Sequence, residues 1–132
     1  SSLRGPLPFV LGMTLPEDYI VYSFDIDQKI SFYKTAITKN AIKASPHFDL
    51  GNIFFSQKKF KDAISHYKEA VKIKPEYAAA HNNLGSALVQ EGKIKEAIIH
   101  YRKALSISPD LIEARKNLEL AIRVYGEAGE SK

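Results

Sequence analysis

The residues in this chain most able to do chemistry recur at a fixed interval. His47 and His81 are 34 residues apart, and so are His66 and His100. Imidazoles can act as bases or metal ligands near neutral pH. A metal site needs its ligands to converge on one ion, whereas one period separates equivalent side chains into neighbouring layers. The four histidines therefore read as structural copies rather than as ligands or bases. The chain has no cysteine, which excludes disulfides and thiolate metal sites. No glycine-rich phosphate loop is present, because Gly51 and Gly85 fall inside helical patterns. The expectation is a non-enzyme with no catalytic residue, metal or cofactor. A second set is polar: Asp49, Asn83 and Asn117 also follow at 34-residue steps, with Asn52 nearby. An asparagine amide donates and accepts at once, so a row of them suits pairing with a peptide backbone.

The elements that position these residues share the same period. Gly51 recurs as Gly85, Ala63 as Ala97, Tyr67 as Tyr101, Ala70 as Ala104 and Pro75 as Pro109. Leu50 and Leu84 precede the glycines. A fixed period of this length marks a supersecondary unit that buries its apolar face by stacking on copies of itself. Each unit reads as two helices. The glycine on the first lets the second approach closely, the alanine on the second is its small partner, and the tyrosine fills the space beyond. The second small residue admits the next unit, and the proline stops the helix because its ring removes an amide donor and clashes with the preceding turn.

This pattern resembles the tetratricopeptide repeat family over residues 44–125. The resemblance implies an all-α, right-handed solenoid of antiparallel helix hairpins. It also implies a protein–protein interaction module, a scaffold or adaptor whose first helices line a concave groove for an extended peptide or partner helix. On that pattern the groove residues are Asp49, Asn52, Asn83 and Asn117, an arrangement similar to the groove asparagines of O-GlcNAc transferase repeats. A carboxylate clamp of the kind that grips chaperone C-termini is not matched. Phe48 stands where its first lysine belongs, and Glu113 and Asn117 replace its later lysine and arginine.

The chain divides as follows. Residues 1–25 form an atypical N-terminal extension, with Pro6, Pro8, Gly5 and Gly12 punctuating an apolar run and a short helix opening at Thr14. This extension is either a remnant of an upstream domain or a strap over the repeats of the same or a neighbouring molecule. Residues 26–43 resemble a degenerate half repeat, in which Lys29 replaces the small alanine and Ala41 the proline. Asp25 and Gln28 make its capping box. Residues 44–77 and 78–111 are full repeats. Ser45 caps the first helix and Pro46 occupies its first turn. The expected helices are 45–57, 60–73, 77–90 and 94–107. The turn inside each repeat puts Lys58 where the second has Gly92, so Lys58 is expected in the left-handed region. Residues 112–126 form a capping helix with Glu119 at the glycine position, and residues 127–132 a disordered tail.

The 132 residues carry 19 basic and 15 acidic side chains, a net charge of +4. Acidic residues are interspersed with the basic ones, which favours a solvated helical surface over a nucleic-acid stripe. The apolar run near the start is far too short to span a bilayer. The expected partner is a protein or peptide, with self-association through the N-terminal segment or the end faces also open. An alternative is a structural or assembly segment of a larger enzyme, for example a membrane-associated glycosyltransferase-like protein. Composition leaves the compartment open, with the cytoplasm favoured.

Overall fold

Among the described residues six helices run in chain order: α1 (Ile26–Lys39), α2 (Ser45–Ser56), α3 (Phe60–Ile73), α4 (Ala78–Gln90), α5 (Ile94–Ile107) and α6 (Ile112–Glu130). The structure, a computed structural model, describes residues 24–39 and 43–130. There are no strands among the described residues. The N-terminal strap and the short helix opening at Thr14 lie outside the described residues, as does Ala41.

Packing rather than capping holds the repeat helices. The residues preceding α2, α3, α4 and α5 make no side-chain cap bond. Ser45 is not the cap of α2; it is the first helical residue, and Ala44 precedes it in helical geometry. Pro46 in the next position tolerates this, since its missing amide would have been unpaired anyway. At α1 the expected reciprocal cap does form. Asp25 Oδ1 accepts from the amide of Gln28 at 2.9 Å, and Gln28 Oε1 accepts from the amide of Asp25 at 3.0 Å. α6 runs to Glu130, past residue 126, where the capping helix was expected to end.

Each repeat is built by one contact. A Cβ on Gly51 would stand 2.6 Å from the Tyr67 ring, and one on Gly85 would stand 2.7 Å from the Tyr101 ring. No real side chain tolerates such distances, so glycine is required for the ring to lie flat on the first helix. The tyrosine therefore occupies the close approach itself, rather than space beyond it. Around these rings Ala63, Leu84, Ala87, Leu88 and Ala97 are fully buried and form a continuous core through both repeats. Ala70 and Ala80 join Ala44 in a second cluster where α3 meets the next layer.

The turn within each repeat closes identically. Lys58 has φ of 61° and Gly92 φ of 78°. The amide of Lys59 donates to the carbonyl of Phe54 and that of Lys58 to Phe55. One repeat later, Lys93 donates to Leu88 and Gly92 to Val89. These are paired Schellman bonds, which require a left-handed residue after the helix. Glycine takes that conformation freely, and lysine takes it at a cost.

Candidate peptide groove

The first helices α2, α4 and α6 touch one another in succession along one side of the stack, and the expected groove residues lie on them. The structure joins these residues to each other. Asn83 Nδ2 donates to Asn52 Oδ1 at 2.9 Å. The Tyr67 hydroxyl donates to the same oxygen. Asn117 Nδ2 donates to Asn82 Oδ1 at 3.1 Å. Asn82 Nδ2 in turn lies 3.4 Å from both Asn83 Oδ1 and Glu113 Oε1. A chain of amides thus runs across three layers: Asn52, Asn83, Asn82, Asn117. Burial of the Tyr67 and Tyr101 rings pushes both phenols above their ordinary pKa, so they stay neutral donors. Tyr101 pairs its hydroxyl with Ser86 Oγ at 3.0 Å.

Asn82 is the member that periodicity misses. It is 2% exposed, and its counterparts one period away are Phe48 and Lys116, so no recurrence announces it. Asp49 is partly buried on α2. The clamp remains unmatched in space. The Phe48 ring packs 4.9 Å from Tyr77 and 6.1 Å from Tyr67, centre to centre.

Between α4, α5 and α6 lies a cleft of about 250 Å³. It is lined by the polar Ser86, Gln90, Tyr101 and Asn117 and by the apolar Val89, Ile94, Leu120, Ala121 and Val124. Leu120 is 55% exposed and Val124 41%. The positions matching Leu120 are Ser86 and Asn52, and those matching Val124 are Gln90 and Ser56. The third first helix has therefore exchanged polar groove residues for apolar ones. None of the cleft-lining residues is charged.

The histidines, expected to be structural copies one period apart, meet in pairs within each repeat. Within each repeat the first-helix histidine meets the second-helix one, 19 residues on. His47 Nδ1 is 3.2 Å from His66 Nδ1, and His81 Nδ1 is 3.1 Å from His100 Nδ1. His81 Nε2 also donates to the Pro75 carbonyl at 2.8 Å. One period later Arg115 takes the same role and donates to the Pro109 carbonyl. Among the described residues no group of three or more histidine, aspartate or glutamate side chains could hold a metal. No described helix is long and apolar enough to cross a membrane.

Comparison with known proteins places this architecture. A TPR repeat model matches residues 51–90, and a tetratricopeptide repeat model matches residues 78–111. No curated protein matches. Among solved structures, MamA is 27% identical with a TM-score of 0.72, over 76% of this chain and 59% of that one. The chain thus spans less than two thirds of MamA. The first TPR domain of human RPAP3 is 23% identical with a TM-score of 0.75, covering 81% of this chain and 84% of its own. A first TPR of Spaghetti (RPAP3), bound to the HSP90 peptide SRMEEVD, is 24% identical with a TM-score of 0.74, over 76% and 80% of the two chains. The matched repeats, the glycine–tyrosine contacts and the stacked hairpins agree, and residues 51–111 are built of tetratricopeptide repeats.

Proposed function

We propose that this chain is a non-catalytic protein-interaction module that holds an extended peptide along α2, α4 and α6. The observation that carries the reading is the α4–α6 cleft, where exposed Leu120 and Val124 face uncharged amide and hydroxyl groups. Exposed apolar residues lining a concavity with a few polar groups are the usual character of a recognition site. Asn83 and Asn117 use part of their bonding capacity within the amide chain. An amide has four hydrogen-bond sites, so each keeps capacity for a peptide amide or carbonyl. Asn52 orients Asn83, and Asp49 contributes the acidic end of the groove. The cleft wall then takes one bulky aliphatic or aromatic side chain of the peptide.

The acidic peptide seen in the Spaghetti complex is a poor guide to this chain, because Phe48 and Glu113 occupy the places of clamp lysines. A peptide with a neutral, apolar anchor fits the cleft better. The test is selection from a displayed library of random peptides, followed by amide chemical-shift mapping of one synthetic selected peptide. The expected result is shifts concentrated at Asn83, Ser86, Asn117 and Leu120. Shifts confined to α3 and α5 would overturn the groove reading.

A further inference from the structure

We propose that His47–His66 and His81–His100 are proton-sharing locks that tie the two helices of each repeat together and release them on acidification. The pairs lie inside the hairpins, whereas the groove lies between successive first helices. In each pair the ring centroids are 5.4 and 5.3 Å apart while the Nδ1 atoms are 3.2 and 3.1 Å apart. That combination describes rings meeting nitrogen to nitrogen, not face to face. Such a contact is a bond only if one nitrogen carries a proton and the other does not.

The Pro75 carbonyl decides which nitrogen that is. It can only accept, so His81 carries its proton on Nε2. Neutral His81 then presents a bare Nδ1, and the shared proton belongs to His100. One further proton can enter on His100 Nε2 and leave the bond intact. The next must enter on His81 Nδ1, which sets two N–H groups and two positive rings against each other. The lock therefore holds with one charge and fails with two.

The surroundings favour the uncharged pair. Burial lowers the pKa of all four histidines, and in each pair the first-helix ring lowers that of its second-helix partner further. Around the first pair, Glu69 and Asp62 on α3 oppose this and Lys34 on α1 adds to it. Around the second, the Pro75 carbonyl bonded to His81 and Glu96 on α5 oppose it, while Lys103 on α5 and Lys68 on α3 add to it. The unfolded histidines, at their ordinary value of about 6.5, bind protons more readily than the folded ones. The stabilisation is therefore complete above that value and is lost as pH falls through the folded values. Since α2 and α4 carry Asn52 and Asn83, acidification loosens the hairpins that hold the groove.

The test replaces His66 and His100 with asparagine, singly and together. Asparagine can turn its N–H or its oxygen toward the facing Nδ1, so it satisfies both protonation states without titrating. Urea unfolding is measured from pH 8 to pH 5, with ring titration of the wild type by NMR. The wild type should lose about fivefold in folding constant per pair as the second ring of the pair takes up its proton, the worth of one hydrogen bond, and the His66→Asn/His100→Asn variant should lose little of it. The rings should titrate in two steps per pair, with the second step displaced to low pH. An equal pH slope in wild type and variant, or four independent titrations near the ordinary value, would overturn the proposal. The NMR titration decides the matter even if the double variant is too unstable to measure.

Discussion

The two full repeats carry the glycine–tyrosine and histidine–histidine contacts on the same residue types, and the turn and tyrosine-hydroxyl contacts on different ones. Gly51 under Tyr67 matches Gly85 under Tyr101, and His47–His66 matches His81–His100. At the surface the match loosens. Lys58 holds the left-handed turn that Gly92 holds one repeat later. Tyr67 bonds Asn52, but Tyr101 bonds Ser86 at the matching position. The interior tolerates one solution because a ring lying on a backbone leaves no room for another. The groove and the turns need only a polar partner or a left-handed residue, and several side chains supply these.

That contrast is most sharply broken at the glycines. Gly85→Leu is expected to destabilise the fold by about 3 kcal/mol, since overpacking a filled contact displaces the Tyr101 ring. Glu119→Leu, at the same position of α6, should change stability by less than about 0.5 kcal/mol, because Glu119 is exposed. Urea unfolding of both variants compares them directly, and equal damage at the two sites would mean that α6 is packed as the inner helices are.

The turns give the smaller effect and a mirror-image experiment. Lys58→Gly should stabilise by about 0.5–1 kcal/mol, as the left-handed strain on lysine exceeds the extra freedom glycine gains when unfolded. Gly92→Lys should lose a similar amount. A drop in melting temperature for Lys58→Gly would show that the lysine side chain contributes more in this turn than its backbone costs.

The interior was legible in the sequence because it recurs. Gly, Ala, Tyr and Pro at one offset define the hairpin, and Phe60–Ile73 and Ile94–Ile107 start and stop where the pattern predicts. Even the strain at Lys58 follows from its alignment with Gly92. What escaped was contact between residues that are not period-mates. The histidine bonds join positions 19 residues apart, across a hairpin, whereas comparison at 34 pairs each histidine with its copy. Asn82 and Glu113 have no polar counterparts one period away in either direction within the full repeats. Asn83 and Asn117 were legible as period-mates, but Asn82, which links them, carried no repeat signal. Leu120 and Val124 were visible only as departures from a polar pattern, and a departure gains meaning once α4 and α6 are seen to face each other. Ser45 failed as a cap for a local reason: the helix begins one residue earlier than the serine–proline pair suggests.

The central claim is that peptide recognition lies between α4 and α6, and a matched pair of exposed apolar residues tests it most directly. Leu120 lies in the groove cleft, while Ile99, 60% exposed on α5, lines a separate cleft with Lys93 and Tyr125. Neither side chain supports the core, so Leu120→Glu and Ile99→Glu should both leave the melting temperature within a few degrees of the wild type. Calorimetric titration with the same selected synthetic peptide should then show at least tenfold weaker binding to Leu120→Glu, as burying an unpaired carboxylate costs more than about 1.4 kcal/mol. Binding to Ile99→Glu should be unchanged. Loss of affinity in Ile99→Glu with full affinity in Leu120→Glu would contradict the account and move the recognition surface to the far side of α5.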